Sequence, residues 1–599
     1  MKNYALQDKY KTLKTVFGHA AFRSFQEEAV DAITSGRDVM MVLPTGGGKS
    51  LCYQLPSLLM DGVTVVVSPL LALMHDQITA LGAFGIEAAM VSSMQSASEI
   101  DGVMQMARDS KLKLLYVAPE RLKNDGFLRF LQGVKINFFV VDEAHCVSEW
   151  GHEFREDYRR LHLLKELFGD TPIAAFTATA TRPVEEDIRG QLRLKNPVTI
   201  RAKISRDNLV VKSEYRVGNG RAQLLEFIDK FKNESGIVYT FTRKEAESIA
   251  EFLTSKNIPS KPYHAGLPTS EKNSAYKAFL NDEIRVVVAT VAFGMGIDKS
   301  NIRFVAHTSL PKTIENYYQE IGRAGRDGLA AQTLLLFSSA DIVERKSMIE
   351  SQPDSEYKRL AFEKLEAMAK FASGETCRHA FIADYFGDEG APCGSLCDNC
   401  LEPDKEGVDV SEESLKFLSA VYRSGQRFGL QYVVDILLGL KNQKIEQNGH
   451  QNLSVYGIGK DKSRKQWLSI GDRLLELKAI RQGEYRVAML DEYGMEIIKN
   501  KLTVTIRKER LEDKKPKPTS RKEIYKPVYD NDIFEKLRAL RARLAKDSGV
   551  PPYVVFSDKT LKEMADKLPQ TKDEMLQVGG VGEVKFERYG REFLEVLGE

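Results

Sequence analysis

Val39-Met40-Met41-Val42-Leu43-Pro44-Thr45-Gly46-Gly47-Gly48-Lys49-Ser50 runs an apolar, β-prone segment straight into a glycine-rich turn, and an apolar helical pattern follows. This order predicts a phosphate cradle. Glycines let backbone N–H groups converge on phosphate oxygens, a lysine neutralises the β and γ charges, and a serine at a helix start ligates Mg²⁺. Thr45, Gly46, Gly47, Gly48, Lys49 and Ser50 are therefore the expected contacts of a nucleotide triphosphate and its magnesium ion. Leu43 occupies the first glycine slot of the strict G-x4-G-K-[ST] pattern.

Outward from the cradle, short β-branched runs alternate with helical patterns. Val39–Leu43, Val63–Val67, Leu114–Val117, Phe138–Val141 and Ile173–Phe176 form one set, extending to about Ile204. Gly236–Thr240, Val286–Ala289, Phe304–His307 and Thr333–Phe337 form a second set after Asp207. Alternation of this kind predicts parallel sheets, hence two doubly wound α/β lobes.

The fourth run of the first lobe delivers Asp142-Glu143-Ala144-His145 to the carboxyl end of a strand, where ligands of open α/β sheets sit. Asp142 is suited to hold Mg²⁺, and Glu143 to orient and deprotonate the water that attacks the γ-phosphate. In the second lobe, Gln319-Glu320-Ile321-Gly322-Arg323-Ala324-Gly325-Arg326-Asp327 places two arginines three apart, on one face if helical. An arginine supplied across a cleft stabilises transition-state charge in phosphoryl transfer. Arg326 is assigned as this finger and Arg323 as its neighbour, and a surface ion-pair role is the bland alternative for each.

Composition is compatible with a multidomain nucleotide-binding protein. Of 599 residues, 43% are hydrophobic and 28% charged, ordinary values that set aside disordered, collagenous and coiled-coil classes. At about 150 residues per domain, roughly four units are expected. No apolar run reaches the ~18 residues of a membrane span, and Met1–Phe17 is dotted with lysines, so a soluble cytoplasmic protein without a membrane partner is expected. The formal net charge of +2 neither favours nor excludes a polyanionic partner. Charge is concentrated locally: Arg507–Lys526 carries nine basic residues against four acidic ones, with Pro516 and Pro518 inside it. This reads as a solvated linker or as an accessory phosphate-contacting segment.

The six cysteines are uneven. Cys52 and Cys146 stand alone and read as packing residues, whereas Cys377, Cys393, Cys397 and Cys400 follow a C-x15-C-x3-C-x2-C spacing. In a reducing compartment this favours tetrahedral, structural zinc, because four thiolates leave no open coordination position. Leu365–Phe386 reads as one helix carrying Cys377, with Gly390 and Gly394 in turns between ligands.

Together these motifs resemble the RecQ family of superfamily 2 DNA helicases, in particular its bacterial members, over nearly the whole chain. Phe22-Arg23-Ser24-Phe25-Gln26 resembles the adenine-reading motif zero, which implies Gln26 on the base edge and Arg23 stacked on the ring, with His19 where members often carry an aromatic. Ser68–Gln77 is similar to motif Ia, Phe176–Thr181 to motif III, Val288–Asp298 to motif V, and Gln319–Arg326 to motif VI, with Gln319 facing the nucleotide. Ser148-Glu149-Trp150-Gly151-His152-Glu153-Phe154-Arg155 resembles the aromatic-rich loop implied to sense single-stranded DNA. Trp150 and Phe154 offer stacking platforms worth about 1–3 kcal/mol each, His152 joins them, and Arg155 can reach phosphate. Glu149 replaces the usual glutamine.

Gln426–Gly429 and Leu453–Lys460 resemble the family's winged-helix domain. Trp467, Ile470, Leu474 and Leu477 form one apolar stripe, while Lys462, Arg464 and Lys465 gather where a recognition helix would meet duplex phosphates. A strand-turn-strand around Ile480–Met489 is the expected wing, with Tyr485 as a wedge at the fork. Phe534, Leu537, Leu540 and Leu544 begin a tail that resembles an HRDC domain; Lys536, Arg538, Arg541, Arg543 and Lys546 either track a phosphate backbone or are merely solvated.

The expected architecture is thus two RecA-like doubly wound parallel-sheet lobes (1–205 and 206–340), a helical zinc-binding module (341–405), a winged-helix domain (406–505), a basic linker (506–526) and a small all-α HRDC domain (527–599). The resemblance implies an ATP-dependent, 3′-to-5′ DNA helicase of recombination, repair and replication, using ATP, Mg²⁺ and Zn²⁺. It would act as a monomer on single-stranded, duplex, fork or junction DNA, near the nucleoid, with a single-stranded-DNA-binding protein as a partner. Two rivals stay open: an RNA-stimulated helicase, since Asp-Glu-Ala-His also occurs there, and a zinc and winged-helix DNA-binding regulator with a vestigial nucleotide site.

Overall fold

The computed structural model describes residues 8–23, 25–92, 95–148, 151, 155–294, 299–402, 407–482, 487–511 and 532–598. Its first lobe is a seven-stranded parallel sheet of β1 (Val39–Val42), β2 (Val63–Val67), β3 (Ala88–Val91), β4 (Leu114–Val117), β5 (Ile136–Val141), β6 (Ile173–Thr177) and β7 (Val198–Arg201), ordered β3-β4-β2-β5-β6-β1-β7. The inner strands are covered by helices on both faces, so β1, β2, β4 and β6 are buried at every position. Such strands read as unbroken apolar runs. The outer strands β3 and β7 are only partly buried and lacked that signal.

The second lobe repeats the plan with β8 (Leu209–Tyr215), β9 (Ser235–Tyr239), β10 (Ser260–Tyr263), β11 (Val286–Ala289), β12 (Ile302–His307) and β13 (Ala331–Phe337), ordered β10-β11-β9-β12-β13-β8 and again all parallel. Here too the unanticipated strands are the edges. β10 is half-buried and contains Pro262, which only an edge tolerates.

The zinc-module segment Leu365–Phe386 is two helices rather than one. Glu356–Ser373 stops at Gly374, whose backbone is extended, and Arg378–Tyr385 starts with Cys377 as its N-cap. A Cβ on Gly374 would lie 2.6 Å from the Lys370 carbonyl, so glycine permits the tight exit. The module is sewn to the edge of the second lobe: the Val211 N–H donates to the Leu396 carbonyl at 2.9 Å, and the Ser213 hydroxyl to the Ala372 carbonyl at 2.8 Å.

In the winged-helix domain the helix Arg464–Glu476 buries Trp467, Ile470 and Leu474 as the stripe predicts, and the Trp467 indole donates to the Gly459 carbonyl at 2.7 Å. Strands Ile480–Gln482 and Ala488–Leu490 pair antiparallel as a wing; Gly483 and Tyr485 lie outside the described residues. The basic segment expected to be a linker begins inside the fold. Thr505–Arg507 pairs with Gly407–Asp409, and the buried Arg510 is ion-paired with Glu375 at 3.3 Å and Glu476 at 3.1 Å, because two acidic residues from neighbouring elements face it. Residues 512–531 lie outside the described residues.

The tail is all-helical over Asp532–Ser548, Asp558–Lys567 and Arg591–Gly598, with Phe534, Leu537, Leu540 and Leu544 in its core. Arg541 does not track a phosphate backbone: it is buried, donates to the Phe556 carbonyl at 2.9 Å and pairs with Asp558 at 2.8 Å. Its place four residues on from Leu537 puts it on the apolar face.

Candidate active site in the interlobe cleft

The helix Lys49–Leu59 begins at Lys49 with Gly48 as its N-cap, so Lys49 and Ser50 stand on the first turn, where backbone N–H groups point outward. Gly46 and Gly48 hold φ of +78° and +82°, a conformation that side chains resist. The motif-zero residues are stitched to this turn. The Arg23 guanidinium donates to the Gly46 carbonyl at 2.8 Å, the Gln26 amide donates to the Gly48 carbonyl at 3.2 Å, and the Gln26 oxygen accepts the Arg23 N–H at 3.0 Å. His19 keeps an exposed surface, yet the protein packed around it, with Arg23, Lys585 and Lys559 repelling a proton, pushes its imidazole down to about 4. It is neutral at physiological pH.

Asp142 and Glu143 follow β5 directly. The Asp142 carboxylate accepts the Glu143 N–H at 3.0 Å, and the buried Tyr158 hydroxyl donates to the Asp142 carbonyl at 3.1 Å. Glu143 adopts a left-handed backbone at φ +48°, strain of the kind that collects at functional sites. From it a polar chain leads across the molecule. Glu143 Oε2 lies 3.4 Å from His145 Nδ1, and that nitrogen lies 2.9 Å from the Thr177 hydroxyl. The same hydroxyl accepts the Thr179 N–H at 3.2 Å, and the Gln319 amide of the second lobe donates to the Thr179 hydroxyl at 3.4 Å.

The arginines of the second lobe are not on a helical face. The helix Ile314–Ile321 ends before them, and Arg323 and Arg326 lie in the turns that follow, where Gly325 (φ +61°) and Gly328 (φ +86°) bend the chain. The turn carries Arg326 to the cleft, while Arg323 is buried behind it near Tyr239. A Cβ on Gly46 would lie 3.2 Å from Arg326 Cα, and one on Gly322 would collide with the Thr45 hydroxyl. Arg323 is buried and its Nε has no hydrogen-bond partner among the described residues, an arrangement suited to an anion.

Arg206, which the sequence reading missed, ties the cleft together. Its guanidinium donates to the carbonyls of Thr45 (3.4 Å), Gly322 (3.0 Å) and Gly325 (2.6 Å), joining cradle to arginine turn. Burial is the main push on this group, with Arg326 adding repulsion, and together they bring it down to about 10. Asn208 donates to Gly325 and Leu329 at 2.8 Å each. Neither residue sits in a periodic or glycine-marked segment, so no local pattern flagged them. The resulting cleft encloses about 610 Å³ and is lined by Arg23, Phe25, Thr45, Gly46, Arg206 and Arg326.

Away from the cleft, the sulphurs of Cys377, Cys393, Cys397 and Cys400 lie within 4.8 Å of one another, and no disulfide joins them. Cys377 and Cys397 Sγ are 3.9 Å apart, near the ~3.8 Å that two thiolates at ~2.3 Å from a tetrahedral zinc would span. The Cys393 and Cys400 N–H groups donate to the sulphurs of Cys377 and Cys397. The buried pair Arg378–Asp398, doubly bonded at 3.0 Å, braces the cluster. These donors fit zinc.

Of the expected DNA contacts, Trp150, His152 and Phe154 lie outside the described residues. Arg155 uses one donor on the Pro69 carbonyl at 3.1 Å, linking the aromatic-rich loop to the motif Ia segment. Lys462 and Arg464 are not unpaired cations waiting for phosphate: Lys462 pairs with Glu413 at 2.8 Å and Arg464 with Asp435, because two preceding helices present carboxylates to the start of this one. Lys465 stands on the first turn of the same helix.

Comparison with known proteins finds family matches along most of the chain. The chain matches the models of the DEAD/DEAH box helicase (23–187), helicase conserved C-terminal domain (220–328), RecQ zinc-binding (339–401), RQC domain (404–515) and HRDC domain (530–597). It is 41% identical over 602 residues to the ATP-dependent DNA helicase RecQ of Pasteurella multocida (strain Pm70), covering 99% of this chain and 94% of the relative. It is 42% identical over 589 residues to that of Bacillus subtilis (strain 168), covering 97% of each. Identity at this level along both chains, on a cradle faced by an arginine turn and followed by a four-cysteine cluster, places the protein in the RecQ family of helicases.

Proposed function

We propose that this protein is an ATP-dependent DNA helicase that hydrolyses ATP between its two lobes and moves 3′ to 5′ along single-stranded DNA, serving recombination, repair and replication. The observation that carries the reading is the seating of Arg326 against Gly46, which sets an arginine of one lobe on the phosphate cradle of the other. In this scheme Thr45 to Ser50 wrap the triphosphate, and Lys49 neutralises its β and γ charges. Gln26 exchanges the Gly48 carbonyl for the adenine edge, Arg23 stacks on the ring, and His19 lies beside them as a neutral imidazole. Ser50 and Asp142 would hold Mg²⁺, which would screen phosphate charge. Glu143 takes the proton of the attacking water. Arg326, with Arg323 beside it, meets the charge that develops on the γ-phosphate only while the cleft is shut, and the polar chain through His145, Thr177 and Thr179 to Gln319 supports coupling of Glu143 to the second lobe.

Zinc held by the four cysteines would fix the module that joins motor to winged helix; the order of the six segments is kept, with the linker taken to begin after the buried Arg510 and not at 506. Trp150, His152, Phe154 and Arg155 are assigned to the single strand, and Lys462, Arg464 and Lys465 to the duplex, the paired cations exchanging carboxylate for phosphate on binding. We assign a monomeric, cytoplasmic, nucleoid-associated protein that meets a single-stranded-DNA-binding protein on its substrate. The test is strand displacement on partial duplexes with 3′ or 5′ overhangs. Unwinding that needs both ATP and a 3′ overhang, and that Lys49→Ala abolishes while DNA binding persists, is the expected result. Unchanged ATP turnover in Lys49→Ala would refute the cradle assignment.

A further inference from the structure

The terminal helical domain is not a free appendage in this structure. It lies against both lobes at once. Towards the first lobe, the Gly580 N–H donates to the Gly18 carbonyl at 3.0 Å, and Lys585 Nζ sits 4.7 Å from the centre of the Phe84 ring. Between the lobes, a cavity of about 650 Å³ is walled by His75 and Thr79 of the first lobe, Tyr276 and Lys277 of the second, and Ala545 and Tyr553 of the terminal domain. Towards the second lobe the contact is ionic, with Arg303, Asp327, Arg541 and Asp558 buried at its centre.

That ionic contact reaches the arginine turn. Arg303 of β12 holds the carboxylate of Asp327, the residue after Arg326, through both terminal nitrogens, and Asp327 Oδ1 also accepts the Leu329 N–H at 3.1 Å. Arg303 and Asp327 are each almost wholly buried. From the terminal domain, Asp558 approaches Arg303 at 3.9 Å while pairing with Arg541 at 2.8 Å. Arg538 donates to the Asn233 carbonyl at 2.8 Å. Around them stand Glu234 and the pair of the buried Lys299 with the half-buried Asp282, whose carboxyl burial alone would raise but which Lys299, and next Arg541 from the docked domain, hold at about 2. Four carboxylates (Glu234, Asp282, Asp327, Asp558) thus meet four cations (Lys299, Arg303, Arg538, Arg541) across one interface. A network with a buried centre of this type adds little net stability but favours one arrangement, and removing the cover hydrates its central members and weakens the bonds among them.

We propose that Asp558, with Arg541 and Arg538, makes the docked terminal domain a positioning element for Arg326, keeping Arg303 dry so that it clamps Asp327 and with it the turn that presents the finger to the cradle. The inference rests on the assignment of Arg326 as the finger. None of these terminal-domain residues touches the nucleotide; they act through Arg303 and Asp327.

The test uses the full-length protein at saturating single-stranded DNA. Arg538→Glu places a carboxylate opposite Glu234, Asp282 and Asp558 without disturbing the terminal domain's own core, and Asp558→Asn removes the charge that faces Arg303. Undocking is read as faster hydrogen exchange at residues 578–582, where Gly580 bonds Gly18. Each undocked variant is expected to lose about 3- to 10-fold in kcat for ATP, the range that coupling through such networks supports, with KM for ATP and affinity for ADP unchanged. Retention of ADP with aluminium fluoride, which mimics the transferring phosphoryl group, should weaken by a similar factor. Arg538→Lys should restore both. Exchange that stays slow in both variants would overturn the network as the holder of the domain. Fast exchange with kcat and aluminium fluoride retention intact would overturn the positioning role. Arg326→Ala measured alongside separates the two readings: if it leaves kcat intact, the finger assignment fails, and if it alone is defective, only the positioning inference fails.

Discussion

Glu143 and Arg326 show how far single residues carry the chemistry. An Asp-Glu pair delivered by an apolar strand was readable because the strand's burial and the carboxylates' position are both written locally, and the structure adds the left-handed backbone of Glu143 and its link to His145. The arginine turn was readable as residue types but not as geometry, since spacing suggested a helical face and the glycines at 325 and 328 instead bend the chain. Arg206 was not readable at all: its partners are three backbone carbonyls distant in sequence, and no side-chain pattern announces such a site. Two substitutions follow at this scale. Arg326→Ala should lower kcat by about a thousandfold or more, as loss of an arginine finger does, with ATP binding retained. Arg206→Ala should lower turnover more mildly, by about 10- to 100-fold, because it leaves three carbonyls of the closed cleft without their donor; single-turnover ATP hydrolysis beside nucleotide-binding titrations checks both.

At the level of elements, the inner strands and the winged-helix stripe were legible because burial on both faces, or at intervals of three and four, leaves a periodic apolar trace. Edge strands β3, β7, β8 and β10 were missed for want of that trace or, in β8, because Lys212 and Ser213 interrupt it. The same logic misplaced the continuous helix through Cys377, which the extended backbone of Gly374 breaks in two. Trp467 is fully buried and hydrogen-bonded, so Trp467→Ala should destabilise the winged-helix domain by about 3–5 kcal/mol, read as a shift of its urea unfolding transition. Stripping zinc with a chelator should unfold the module at 341–405 while the lobes keep their secondary structure, which a thermal melt followed by circular dichroism would resolve into a lowered first transition.

Across the whole molecule, the order of segments was legible from motifs, whereas the docking of the last domain onto the first two was not, since it depends on charges such as Glu234 and Asp558 that look like ordinary surface residues in isolation. Burial, reinforced by Asp558 and opposed by Arg303 and Arg538, raises the Glu234 carboxyl from 4.5 to about 7. A folded-state pKa above the unfolded one means the docked protein binds the extra proton, so its stability should fall as pH rises between 4.5 and 7. Glu234→Gln should flatten that part of the pH profile and raise stability above it, measured by thermal unfolding across the same range. In the proposed function all of these parts serve one coupling, in which closing of the cleft by nucleotide and grip on a DNA strand are the same motion. The most direct measurement is steady-state ATP hydrolysis by the purified full-length protein with and without saturating single-stranded DNA. The account predicts that DNA raises kcat at least about tenfold, corresponding to roughly 1.4 kcal/mol of coupling between the two sites; a rate indifferent to DNA would contradict it.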